Sequence, residues 1–292
     1  MKIKPWIEAV RMRTLPVSIA GVAIGAACAA SSVYVRIIPA ILCLLFAILA
    51  QTASNFANEY YDYAKGFDRP GREGPRRGVT EGDISPQAMK SATYMTLAMA
   101  CAIGCTLVLW GGWWLIPVGI FIALGVTAYS TGPYPLSHHA LGEVAVIVFY
   151  GIVPVVMTCY LMTGDFIPAS FAAGLGTGLM GANVLIVNNY RDRHDDAAVG
   201  KHTLAVLCGP SAILWLYLIN GLAAAVLLAP LWLHNYTSGG ITATSVYLIL
   251  HVMLWSLIRK KQGSALNPML GATAALMSAF AISLLLIISL SR

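Results

Sequence analysis

Runs of apolar residues, each close to 20 positions long, dominate the 292-residue chain, and short polar or Gly/Pro-rich stretches separate them. About 20 apolar residues rising 1.5 Å each cross the roughly 30 Å of bilayer hydrocarbon, so each run predicts a transmembrane helix. Nine are predicted, over about 16–35, 38–60, 88–110, 113–130, 141–162, 167–189, 210–233, 242–258 and 266–289. Gly111-Gly112, Thr163-Gly164-Asp165, Thr237-Ser238-Gly239-Gly240 and Gln262-Gly263-Ser264 are among the breaks. Barrel strands would alternate over about ten residues, whereas these runs are continuously apolar. The expected fold class is an all-α polytopic membrane protein, with about nine helices around a central cavity in a single domain over 1–292.

Composition agrees. Hydrophobic residues make up 58% and charged residues 10%, against about 45–50% and 25% in soluble proteins. That excludes a disordered chain, a coiled coil and an ordinary soluble enzyme. With the N-terminus inside, every Lys and Arg except Arg36 and Arg292 falls in a cytoplasmic segment. This asymmetry supports nine spans with a cytoplasmic N-terminus, because a missed or extra helix would scatter the charges. The net charge of +6 therefore reflects topology and not nucleic-acid binding. The basic start leads into Trp6-Ile7-Glu8, so no removable signal peptide is expected.

Several polar or special residues have ordinary readings. The six Cys are expected to be buried small hydrophobes; Cys101 and Cys105 lie one turn apart, but no second pair joins them for a metal. His138-His139 reads as a solvated pair in a cytoplasmic turn, and His234 and His251 as interfacial or packed. Trp110, Trp113 and Trp114 suit an aromatic belt. Gly174, Gly176 and Gly178 suit close helix contact.

The acids carry more information. All but Asp165 of the 12 Asp and Glu residues lie on the face that holds the bases, although topology rules do not require it. They gather at two helix ends. The first cluster runs Gln51, Ser54, Asn55, Asn58, Glu59, Asp62, then Lys65-Gly66-Phe67-Asp68. The second runs Asn183, Asn188, Asn189, Arg191, Asp192, Asp195, Asp196, then Gly200-Lys201. Asn58 and Asp62 share a helix face, as do Asn188 and Asp192, because residues four apart do. Four predicted spans separate equivalent points, which puts both clusters at one membrane face and suggests a repeat of spans one to four in five to eight, plus a ninth. Carboxylate and amide oxygens suit Mg²⁺, which is usually shared with substrate phosphates. Lys and Arg bind the remaining phosphate oxygens. Together these features imply a membrane-embedded diphosphate substrate. A cation-coupled carrier also uses intramembrane acids, but it has less need of the Gly- and Arg-rich loop 66–78.

The motifs resemble the UbiA superfamily of intramembrane aromatic prenyltransferases, most closely its 1,4-dihydroxy-2-naphthoate polyprenyltransferase branch. The strings that carry the likeness are Arg11-Met12-Arg13-Thr14-Leu15-Pro16, Asn58-Glu59-Tyr60-Tyr61-Asp62 through Asp68, Arg72-Glu73-Gly74-Pro75-Arg76-Arg77-Gly78, Thr131-Gly132-Pro133-Tyr134-Pro135-Leu136, Leu141-Gly142-Glu143, and Asn188-Asn189-Tyr190-Arg191-Asp192 with Asp196 and Gly200-Lys201-His202-Thr203-Leu204. The likeness runs from residue 6 to about 209. The commoner superfamily motif has its last Asp at the position of Gly66; Asp68 stands two residues later, as in the menaquinone branch. Asp195 is an additional acid, and Asp196 is chosen by spacing.

The resemblance implies Mg²⁺ held by Asn58, Asp62, Asp68, Asp192 and Asp196. It implies a polyprenyl diphosphate bound by Lys65, Arg72, Arg77 and Lys201, with Asn188 and Arg191 alongside. Tyr129 is either a stabiliser of the allylic cation or a packing residue. Arg13 either reaches the acceptor carboxylate or sits among headgroups. The implied reaction is prenyl transfer to 1,4-dihydroxy-2-naphthoate with loss of CO₂ and diphosphate, giving demethylmenaquinone. It would take place in the bacterial cytoplasmic membrane, at a site facing the cytoplasm.

Overall fold

The computed structural model describes residues 3–30, 32, 34–70, 73–233 and 235–290. Among them there are helices and no strand; one isolated bridge pairs His139 with His202. The helices are α1 (Ile3–Val10), α2 (Leu15–Ala30), α3 (Ile37–Ala64), α4 (Pro86–Gly111), α5 (Leu115–Ala128), α6 (Gly142–Val146), α7 (Val153–Thr163), α8 (Pro168–Ala198), α9 (Leu204–Leu228), α10 (Thr237–Ile258) and α11 (Asn267–Leu290). A π-helical segment, Ile147–Ile152, joins α6 to α7 in one continuous span, Gly142–Thr163.

Each predicted run contains a helix, and among the described residues seven helices are long and apolar enough to cross a membrane. Runs one and four differ. The first, predicted over 16–35, contains α2, and α1 precedes it across a bend of 47°. The fourth is the 14-residue α5, which extends only about 21 Å at 1.5 Å per residue. Elsewhere the ends follow local chemistry. Ser85 Oγ accepts from Ala88 N at 3.2 Å ahead of Pro86, a cap followed by proline in the first turn. The run beginning at Pro210 is preceded by Gly209 at φ +77°, where the chain breaks within α9.

Helix α2 touches α3, α7, α8 and α11 and lies at the centre. Its Ala- and Gly-rich sequence allows this. A Cβ on Gly21 would lie 2.9 Å from the Tyr150 carbonyl oxygen, and one on Gly25 would lie 2.7 Å from that of Val155. Small residues let helices approach where lipid supplies no hydrophobic drive. Gly174 and Gly178 do the same for α8 against the π-helical segment: a Cβ on Gly178 would come within 2.6 Å of the Ile147 carbonyl oxygen. His251 is packed as expected, stacked between Tyr217 and Tyr247; His234 lies outside the described residues. The thiols need correction. Cys28, Cys43 and Cys159 are buried, but Cys101, Cys105 and Cys208 are exposed on helix surfaces, where an apolar solvent imposes no penalty on a small soft side chain.

Candidate active site

Both acidic clusters reach one polar cavity of about 140 Å³. On α3 the lining residues are Gln51, Ser54, Asn55, Asn58 and Asp62. Their spacing of three and four is a single helical stripe, so an apolar helix turns all its polar groups one way. From α8 the stripe includes Gly181, Leu185, Asn188, Asp192 and Asp196. Asn183 belongs to the second cluster in sequence but points elsewhere, donating to the Tyr217 carbonyl on α9 at 2.9 Å.

The carboxylates take different partners. Asp62 is 1% exposed. Its Oδ2 accepts from Lys201 Nζ at 2.8 Å and from Asn58 Nδ2 at 3.3 Å, and its Oδ1 lies 3.2 Å from His138 Nε2. Asp192 accepts both Nε (2.6 Å) and Nη2 (2.7 Å) of Arg191, which also donates to Asn188 Oδ1 and Asn267 Oδ1, each at 2.8 Å. Asp68 meets Arg77 Nε at 3.3 Å, and Arg77 Nη2 donates to Asn58 Oδ1 at 3.2 Å. Among the described residues no three His, Cys, Asp or Glu side chains converge tightly enough to form a ready-made metal cluster. The clusters instead face each other across the cavity, with Asp62, Asp68 and Asp192 held by Lys201, Arg77 and Arg191. A buried carboxylate in this setting requires such a partner.

The other expected site residues divide. Asn58, Asp62, Arg77, Tyr129, Asn188, Asp192, Asp196 and Lys201 line the cavity. Asp68 and Arg191 stand behind it as partners of lining residues. Lys65 is exposed and donates to the Ser130 carbonyl at 3.4 Å. Arg72 lies outside the described residues. Asp196 faces the cavity, whereas Asp195 Oδ2 accepts the Glu73 backbone N–H at 3.2 Å and anchors the loop that follows α3. Glu59 is also a loop anchor, accepting from Val79 N at 3.1 Å.

Arg13 is exposed and does not line the cavity; Arg11 does, and it donates to Asn58 Oδ1. Arg11 has φ +56° in the turn between α1 and α2, which turns its side chain inward. Periodicity could not distinguish these two arginines, because the turn interrupts the helical register. His138 also corrects the solvated reading. It is 6% exposed, bonds Asp62 and meets the Phe67 ring edge-on at 4.5 Å. Its membrane face, shared with the acids, was the available signal. His139 instead stacks on Tyr134.

A second cavity of about 290 Å³ adjoins the first. Its walls are mostly apolar, from α3, α4, α5, the π-helical segment and α7, and include Phe46, Leu97, Val126 and Phe149. Gln51, Ser54, Tyr129 and Tyr150 line both cavities, so they mark the junction. Tyr129 is held there through its carbonyl, which accepts from Ser137 N at 3.0 Å and Ser137 Oγ at 2.7 Å. The combined space can hold an amphiphile, with its charged end among the acids and bases and its apolar body between helices.

Comparison with known proteins agrees with this arrangement. The model of the UbiA prenyltransferase family matches residues 18–285, well past the limit at about 209 expected from the motifs. The 1,4-dihydroxy-2-naphthoate octaprenyltransferase of Escherichia coli is 36% identical over 214 residues, covering 71% of this chain and 70% of the relative. That of Mycobacterium leprae is 32% identical over 282 residues, covering 95% and 94%. A UbiA homologue from Archaeoglobus fulgidus, solved with GPP and Mg²⁺, matches with a TM-score of 0.68 at 16% identity over 96% of this chain and 99% of that one, a likeness of fold. The chain belongs to the UbiA prenyltransferase family.

Proposed function

We propose that the protein transfers a polyprenyl group from polyprenyl diphosphate to 1,4-dihydroxy-2-naphthoate, with loss of CO₂ and diphosphate, giving demethylmenaquinone. The observation that carries this reading is the joined pair of cavities: acids and bases at one end, an apolar space at the other, and Tyr129 between them. The similarity to relatives named 1,4-dihydroxy-2-naphthoate octaprenyltransferase supports the acceptor.

The donor set fits Mg²⁺, since Asn58, Asp62, Asp192 and Asp196 present oxygens to one cavity, with Asp68 joined to it through Arg77. When bound there the ion would offset charge developing on the diphosphate oxygens. Lys201 and Arg77 line the cavity and are placed to bind the diphosphate, with Asn188 beside them, while Arg191 stands behind and holds Asp192; Lys65, at the C-terminal end of α3, is a further candidate. Ionisation of the C1–O bond leaves an allylic cation, and Tyr129 at the junction offers it an aromatic face. The prenyl chain occupies the apolar cavity, whose side chains discriminate length by only about 1–3 kcal/mol per methylene. The carboxylate of the acceptor needs a cation on leaving water; of the two candidates in Arg11-Met12-Arg13, Arg11 is at the cavity.

The same reading takes α1 with α2 as one bent span and α5 as a short one. This gives nine crossings with the N-terminus and the site at the cytoplasmic side. Helices α3 and α8 are then equivalent members of two four-helix units within one domain.

The test is an assay of detergent-purified protein with Mg²⁺ and a polyprenyl diphosphate, offering dihydroxynaphthoate, 4-hydroxybenzoate and homogentisate in turn. Prenylation of the naphthoate with one CO₂ released per transfer is expected. Preference for another acceptor, or retention of labelled carboxylate in the product, would overturn the reading.

A further inference from the structure

Glu143 belongs to neither acidic cluster and holds none of the bases described above. It opens α6, is 5% exposed and lines the polar cavity. Asn189 Nδ2 donates to its Oε1 at 2.9 Å. Its Oε2 is buried and has no hydrogen-bond partner among the described residues. A carboxylate oxygen left unpaired inside a membrane span is costly. Holding Asn189 does not explain that cost, because a glutamine oxygen would accept the same bond without a charge to desolvate.

Position suggests the use. Gly142 precedes Glu143, and a Cβ there would lie 3.7 Å from the Tyr129 hydroxyl. Glu143 is thus next to the junction of the two cavities but lines only the polar one. A ring carbon attacking a prenyl C1 beside Tyr129 must approach within about 3–3.5 Å. That puts the ring in the polar cavity, against the wall that contains Glu143.

Building on the proposed activity, we infer that Glu143 Oε2 accepts the ring hydroxyl of the aromatic acceptor and takes its proton during transfer. The C1–O bond has broken with its electron pair on the diphosphate, and a ring π pair forms the new bond from the ring carbon to the C1 cation. The hydroxyl O–H pair becomes the π pair of a ring carbonyl, and the proton passes to Glu143. Such proton transfer contributes about 10²–10⁴-fold in rate.

The test compares acceptor binding to wild type and Glu143→Gln, using dihydroxynaphthoate and 2-naphthoate, which lacks both hydroxyls. A hydrogen bond to a charged group predicts that wild type prefers the hydroxylated ligand about 10- to 150-fold. Glu143→Gln should lose most of that preference and at least 10²-fold in kcat, with KM for the prenyl diphosphate unchanged. A variant that keeps both the preference and kcat would refute the assignment while the activity reading stands. A wild type that binds neither naphthoate would overturn the acceptor reading and the assignment with it. If Glu143→Gln does not fold, Glu143→Asp replaces it. That variant keeps the charge but retracts it by one methylene, and an undiminished preference there would be equally decisive against the role.

Discussion

The pair formed by Asp62 and Lys201 joins residues 139 positions apart at 2.8 Å, and both side chains are nearly buried. Asp62→Asn replaces Oδ2 with an amide that faces two donors, Lys201 Nζ and Asn58 Nδ2. The ammonium then remains buried without its counter-charge. Breaking a buried pair in this way costs about 3–5 kcal/mol. Lys201→Met leaves the carboxylate with His138 and Asn58, so its cost should be smaller, about 2–3 kcal/mol for one lost charge-assisted bond. The double variant removes both charges and leaves no ion unpaired. Its cost should fall below the sum of the single costs by at least about 2 kcal/mol, a coupling within the range measured for residues in contact. Reversible unfolding in mixed micelles, titrated with SDS, measures all three. Turnover should be abolished in every variant that lacks Asp62, including the double one in which no ion is left unpaired, so the coupling in stability is not matched by any recovery of activity. Additive single costs would show that the two side chains do not interact in the folded protein. Near-normal turnover by Asp62→Asn at saturating Mg²⁺ would remove the first motif from the reaction.

Arg11→Ala should raise KM for dihydroxynaphthoate by roughly 10- to 150-fold, the loss of one charge-assisted contact, while Arg13→Ala should leave it within about twofold; steady-state kinetics with each substrate varied would reverse the assignment if the two exchanged behaviour. In a background lacking native Cys, Ala198→Cys should react with a membrane-impermeant thiol reagent only from the cytoplasmic side and Ser238→Cys only from outside, and labelling of both from one side would break the nine-crossing topology. Gly178→Val should destabilise by about 2 kcal/mol or more, because its Cβ would meet the Ile147 backbone. Gly271→Ala, with nothing within 4 Å of the new Cβ, should be neutral or stabilising by up to about 1 kcal/mol; micelle unfolding compares the two.

The chain's own pattern was sufficient for the helices, because burial in hydrocarbon depends on local hydropathy and length. The nine runs each contain a helix, and the polar stripe from Gln51 to Asp62 lines the polar cavity, since a polar face on an apolar helix has nowhere else to turn. Spacing favoured Asp196, which lines the cavity, over Asp195, which anchors the loop at Glu73. What sequence could not decide were contacts made by helices distant along the chain and by the turns that aim side chains. Asn183 and Asn188 look alike in sequence, yet one binds α9 and the other faces the cavity, because five residues rotate a helix face by 140° at 3.6 residues per turn. The +56° φ of Arg11 selects it over Arg13. His138 becomes a partner of Asp62 only because the turn after α5 folds beneath the end of α3. The unpaired oxygen of Glu143 appears only when α6, α8 and the junction at Tyr129 are assembled, for no local rule reports which buried polar atoms the neighbours leave unsatisfied.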